Sequence, residues 1–271
     1  MSFPLPKRQG ISVNTALFDA FCFDLDGTVY VSDTVLPHVL DTMSKLRKAN
    51  KKVLFISNSP TQSRASAAGK LRNFGIDVQE QEVLTAAYLA AKFMSENDRA
   101  STAFIVGEGA LHEEFENFGL AQTTDPFEST HVVVGLDRQF TYQKLNDAML
   151  ALRNGAKLIV TNPDPACPIP GGLQADTMSI AKAIETAAET KIETMIGKPT
   201  AYFAHAMLEL LNVPAKSSLI IGDRLETDIL LGKTVGMPTC LVLTGAATIQ
   251  HVEQSAYKPD YIISNLSELI F

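Results

Sequence analysis

The sequence predicts an α/β protein built on mainly parallel sheet and divided into two domains. Three observations carry this expectation. Short apolar runs alternate with amphipathic stretches along almost all of the 271 residues, which is the pattern of βαβ units. A chain of this length is long for one compact core. The residues that bear chemistry gather before about Pro60 and after about Gly197, while the middle keeps a β/α alternation of its own. An inserted domain at 84–190, inside a core divided into 1–83 and 191–271, accounts for that arrangement.

The expected strands are Phe21–Leu25, Val53–Ile56, Phe104–Val106, His131–Val134, Lys157–Val160, Leu219–Ile221 and Thr239–Leu243. Each is a short apolar run bounded by turn formers. Between them lie helical patterns at Leu36–Ala49, Ala65–Phe74, Thr141–Arg153, Met178–Ala188, Tyr202–Leu211 and Glu226–Val235. No internal repeat or low-complexity tract interrupts them.

Composition is that of an ordinary globular protein, 46% hydrophobic and 20% charged. Net charge is −7, and no basic cluster is longer than Lys51-Lys52. That argues against nucleic acid as the main partner, while leaving room for a small anionic substrate. Cys22, Cys167 and Cys240 are far apart and odd in number, so neither a disulfide framework nor a zinc site is expected. Cys22 and Cys240 sit in apolar runs and read as small buried side chains. The opening M-S-F-P-L-P-K-R-Q-G lacks a signal-type apolar core, and no stretch is long and apolar enough to span a bilayer. The expectation is a cytoplasmic protein without membrane contact.

Chemistry concentrates in four elements. In F-C-F-D-L-D-G-T, Phe21 to Thr28, two aspartates stand one residue apart where a strand ends in a glycine turn. Ligands bind at the carboxyl ends of strands in open α/β sheets, and carboxylates this close repel unless a cation or shared proton relieves them. An Asx-turn is the bland alternative. In F-I-S-N-S-P, Ser57, Asn58 and Ser59 offer donors to an oxyanion, although helix capping alone would explain them. In I-G-K-P-T, Lys198 lies in a short punctuated loop where an ammonium could hold phosphate. In L-I-I-G-D-R-L-E-T-D-I, Asp223 follows a strand and a glycine, and Asp228 lies in a helix start that favours acids anyway. Asp223, Asp24 and the Asp26 carbonyl would together supply the hard oxygen ligands that Mg²⁺ takes.

The order of these elements resembles the haloacid dehalogenase (HAD) superfamily, over the whole chain. The insertion resembles the cap of the NagD-like, type IIA subfamily, as do V-V-V-G-L-D-R at 132–138, T-Y-Q-K-L at 141–145 and T-N-P-D at 161–164. The resemblance implies a Rossmann-like core, an α/β cap that selects the substrate, and phosphate ester hydrolysis assisted by Mg²⁺. It implies Asp24 as nucleophile, Asp26 as general acid and base, Lys198 and Ser57 with the N–H groups near Asn58 on the phosphoryl oxygens, and Asp228 behind Lys198 or a metal-bound water. Asp26 itself favours phosphate chemistry, because dehalogenase members lack an acid there. NagD-like proteins often dimerise through their caps, so the resemblance allows a homodimer through the cap, while the sequence itself leaves the oligomeric state open.

Departures temper the substrate reading. S-N-S replaces the usual T-N-N or S-N-N. Cys167 stands where the related pyridoxal phosphatases have a histidine that touches substrate. Gln174 to Met178 replace the glycines of P-G-x-G-S. A phosphomutase and a catalytically silent metabolite-binding protein remain the rival readings. V-G-E-G-A, Val106 to Ala110, lacks the third glycine of a dinucleotide loop, because position 112 is His, and reads as a plain strand-to-helix turn. His112 reads as a surface residue, and His131, His205 and His251 show no ligand pattern.

Overall fold

A computed structural model describes residues 12–169 and 171–271. The opening decapeptide, on which the expectation of no signal segment rests, lies outside the described residues. The chain forms two compact units. The first comprises the described chain up to Ser57, Ala68–Val83 and Ala201–Phe271, and the second Asn58–Ala67 and Leu84–Thr200.

A six-stranded sheet organises the first unit, in the order Tyr261–Ile263, Thr239–Val242, Ser218–Gly222, Ala20–Asp24, Lys52–Ser57, Val83–Thr85. Pairing from Tyr261–Ile263 through Lys52–Ser57 is parallel. All five residues of Ala20–Asp24 are buried, as a strand covered on both faces requires, and this is why it reads as one unbroken apolar run. Phe21, Phe23 and Phe55 extend the packing, with ring centroids 6.4 and 6.2 Å apart. Helices Val39–Lys48 and Ala201–Leu211 pack on the neighbouring strand Lys52–Ser57.

The second unit has its own five-stranded parallel sheet, in the order Thr194–Met195, Lys157–Val160, His131–Val134, Thr102–Val106, Ala121–Thr123. Helices Tyr142–Arg153 and Thr177–Ala188 bury Ala148, Ala151, Leu152, Ala181, Ile184 and Ala188 against its valines. Thr141 caps the first of these by accepting the Lys144 N–H at 3.2 Å, and Asp176 caps the second from Thr177 N–H at 2.5 Å. An antiparallel hairpin, Ala166–Ile169 with Gly172–Ala175, precedes the second helix. Its residues Leu173 and Ile169 are exposed.

The mixed α/β class and the mainly parallel sheets match the sequence reading. Two details differ. The expected helix at Glu226–Val235 opens as a π-helical turn, Leu225–Ile229, and only Leu230–Thr234 is α-helical. The Ile229 N–H reaches the Arg224 carbonyl at 3.2 Å, while an Asp228 carboxylate oxygen accepts the Arg224 N–H at 3.2 Å. The widened turn folds Asp228 back over Gly222, where a Cβ would lie 2.3 Å from the carboxylate carbon. His112 is half-buried rather than at the surface, and its Nδ1 pairs with Gln122 Oε1 at 2.7 Å. V-G-E-G-A is a strand-to-helix turn, between Thr102–Val106 and the helix Gly109–Asn117.

Candidate active site

Three parallel strands end together. Asp24 lies opposite Ile56 and Phe23 opposite Ile221, so Asp24, Ser57 and Asp223 share the carboxyl edge of the first unit's sheet, where open α/β sheets bind ligands. Asp24, Asp223 and Asp228 each offer a carboxylate oxygen within 4.8 Å of the others. They are 8%, 3% and 1% exposed. Three like charges this close and this dry call for a cation or a proton.

The backbone is shaped around Asp223. Its carboxylate accepts the Ala246 N–H at 2.6 Å, and its carbonyl accepts the Ala247 N–H at 3.0 Å. A Cβ on Gly27 would lie 2.4 Å from Asp223 Oδ2, and one on Gly245 only 2.0 Å from it. Gly27 also has φ +87°, the left-handed region open to glycine. The Thr244 hydroxyl holds its carbonyl at 2.6 Å. Hard oxygen donors packed by glycine on two sides fit a small divalent cation such as Mg²⁺. Asp26 is exposed, two residues beyond the buried Asp24, so the two aspartates of D-x-D have different surroundings. The carboxylate cluster includes Asp228, which the sequence reading had kept outside the metal ligands.

Asn58 and Lys198 belong to the second unit, and the structure ties them to each other. The Lys198 N–H donates to Asn58 Oδ1 at 2.7 Å, and Asn58 Nδ2 donates to the Lys198 carbonyl at 3.2 Å and to Asp164 Oδ2 at 3.0 Å. Lys198 is 2% exposed, and the bond to Pro199 is cis. The Ser59 hydroxyl lies 3.1 Å from that of Thr61. Cys167, half-buried, sits in the hairpin opposite Gln174. Cys22 and Cys240 are buried as expected, and burial pushes the Cys240 thiol up, out of the reactive range.

The second unit also carries a polar groove of about 430 Å³, lined by Glu108, Asp137, Arg138 and Lys144 around the start of helix Gly109–Asn117. Arg138 grips Glu108 with two nitrogens, each at 2.6 Å, and holds that carboxyl below the ordinary carboxylate range. Lys144 bonds the buried Asp137 at 2.5 Å. Sequence reasoning missed this groove, the Gly245-Ala246 loop and the role of Asp164.

Comparison with known proteins gives the family. A model for haloacid dehalogenase-like hydrolases matches residues 21–121, and a second, HAD-hydrolase-like model matches residues 195–269. The chain is 34% identical over 246 residues to the sugar-phosphatase AraL of Bacillus subtilis, covering 91% of this chain and 90% of AraL. A p-nitrophenyl phosphatase structure from Archaeoglobus fulgidus superposes with a TM-score of 0.88 at 32% identity, over 93% of this chain and 97% of that one. NagD from E. coli K-12 superposes with a TM-score of 0.85 at 26% identity, over 93% and 98%. The chain belongs to the haloacid dehalogenase-like hydrolases, as a NagD-like phosphatase.

Proposed function

We propose that this phosphatase is a Mg²⁺-dependent hydrolase of small phosphomonoesters, sugar phosphates foremost, and that it works through a phosphoryl group carried on Asp24. The observation that carries the reading is the buried cluster at the strand ends in which Asp24, the first residue of D-x-D-G-T, meets Asp223 and Asp228. The name of AraL supports the sugar phosphate class, and that of the Archaeoglobus structure supports aryl phosphates as laboratory substrates.

In this reading an Asp24 oxygen attacks phosphorus and the ester P–O bond breaks. Asp26, the more exposed acid, gives its proton to the departing oxygen. Asp26 then takes a proton from the water that attacks the phosphoryl group, which frees Asp24 and releases inorganic phosphate. The covalent route divides one hard displacement into two easier ones. Bound Mg²⁺ would offset the repulsion between the carboxylates and the phosphate dianion. Ser57, the N–H groups near Asn58 and the Lys198 ammonium hold the phosphoryl oxygens, a preorganised electrostatic contribution. Cys167 and its hairpin take part in selecting the leaving group.

The test is phosphate release from sugar phosphates, polyol phosphates, nucleotides, pyridoxal phosphate and an aryl phosphate, with Mg²⁺ and with chelator. Metal-dependent release, greatest on sugar phosphates, is expected. Undiminished release in chelator would remove the metal from the mechanism, and no release at all would remove the reading.

A further inference from the structure

We infer that Asn58, Asn162 and Asp164 form a clamp that positions Lys198, so that the side chain of Asn58 serves the lysine loop rather than the phosphate. The inference rests on the assignment of Lys198 to the phosphoryl group. Asn58 has one acceptor oxygen and one amide nitrogen with two hydrogens, and all are committed. Oδ1 takes the Lys198 N–H at 2.7 Å, and Nδ2 gives one bond to the Lys198 carbonyl and one to Asp164. The orientation of the amide follows, because a peptide N–H can only donate and a peptide carbonyl only accept. The carbonyl of Asn58 is held as well, by Asn162 Nδ2 at 2.9 Å. Asn162 Oδ1 in turn accepts the Asp164 N–H at 3.1 Å, closing the ring of bonds.

The approach is close enough to exclude a side chain at Gly197. A Cβ there would meet the Thr161 carbonyl at 2.6 Å and Asn58 Oδ1 at 2.8 Å. Both main-chain polar groups of Lys198 are therefore fixed by one side chain, 140 residues away in sequence. Aspartate at 164 strengthens the arrangement, since a charged acceptor makes the stronger hydrogen bond.

Asp164 has a second consequence. Its carbonyl accepts the Met178 N–H at 3.0 Å, and the next carbonyl, of Pro165, accepts Asp176 N–H at 3.0 Å and Ser179 Oγ at 2.7 Å. These bonds brace the base of the hairpin that carries Cys167. Asp164 thus joins the base of the hairpin to the lysine loop, by its carboxylate to Asn58 and by its N–H through Asn162.

The experiment measures kcat, KM, inorganic phosphate affinity by calorimetry, and melting temperature for full-length Asp164→Ala and Asp164→Asn. A displaced phosphate ligand costs about ten- to a hundredfold, so Asp164→Ala should lose that much in kcat/KM and bind phosphate more weakly. Asp164→Asn, which keeps an oxygen acceptor for Asn58, should recover most of it. In a Lys198→Ala background Asp164→Ala should cost no further phosphate affinity. An equal cost with and without Lys198, or unchanged phosphate affinity in Asp164→Ala, would overturn the clamp. If Asp164→Ala does not fold, Asn162→Ala carries the same comparison. Should the wild type hydrolyse no ester, the proposed function falls, while the phosphate titrations still decide the clamp.

Discussion

Two concentrations of charge in this molecule are built in opposite ways. At the strand ends of the first unit, Asp24, Asp223 and Asp228 bring three acids together in buried positions. In the groove of the second unit, Glu108 and Asp137 are each answered by a cation of the same chain, Arg138 and Lys144, whose side chains are 58% and 37% exposed. The groove balances its own charge beside water, where ion pairs contribute little. The cluster brings three carboxylates together away from water, an arrangement that costs stability unless function repays it. Buried carboxylates brought together and hemmed in by glycine and backbone are the better mark of a site.

The sharpest test of that contrast is Asp24→Asn. Turnover should fall by roughly 10³-fold or more, as when a nucleophile is removed elsewhere. The melting temperature should hold or rise, because one of three like charges is gone. A marked loss of stability would mean that the acids support the fold, and the contrast with the groove would fail. A smaller effect comes from paired glycine substitutions. Gly245→Ala drives a Cβ into Asp223 and should cost about 1–3 kcal/mol, as overpacking does, together with the proposed activation by Mg²⁺. Gly109→Ala, at the groove, has nothing within 4 Å of the added carbon and should leave thermal unfolding within about 0.5 kcal/mol of wild type. Equal behaviour of the two variants would show that the backbone around Asp223 is not specially shaped.

Legibility in the sequence follows the same division. Ala20–Asp24 could be read because burial on both faces leaves a continuous apolar run, and Gly27 marks where it turns. Asp223 could be read because Gly222 punctuates its strand. Gly245 and Ala246 could not, since their contribution is an absent Cβ and a backbone N–H, neither of which has a residue signature. Helix Ala86–Asn97 went unread because six of its residues, four of them alanine, are buried around much of its circumference, which blunts the amphipathic period. The clamp was illegible for another reason. Asn162 and Asp164 meet Asn58 across 104 and 106 residues, and short polar side chains near a proline look like a turn. The π-helical opening of the stretch read as helix Glu226–Val235 has no signature in local propensity, because it goes with the fold of Asp228 back over Gly222.

The smallest effect, and the one that tests the groove half of the contrast, is the acid response of Arg138→Gln. The Arg138 hydrogen bonds, and then its charge, hold the Glu108 carboxyl below its ordinary value in the folded protein. A carboxyl with a depressed folded pKa contributes stability above its unfolded pKa, about 4.3 for glutamate, and loses it as pH falls through the folded value. Wild type should therefore exceed Arg138→Gln in stability by a constant margin from neutral pH to about pH 5. That margin should shrink below about pH 4 as Glu108 takes up its proton. With Arg138 largely in water the margin stays under about 1 kcal/mol, readable as a difference between two thermal melts at each pH. A margin that persists undiminished into strong acid would assign Arg138 a packing role, with its methylene stem and not its charge holding the groove. Of the groove's two ion pairs, that of Lys144 with Asp137 would then be the one left to balance charge there.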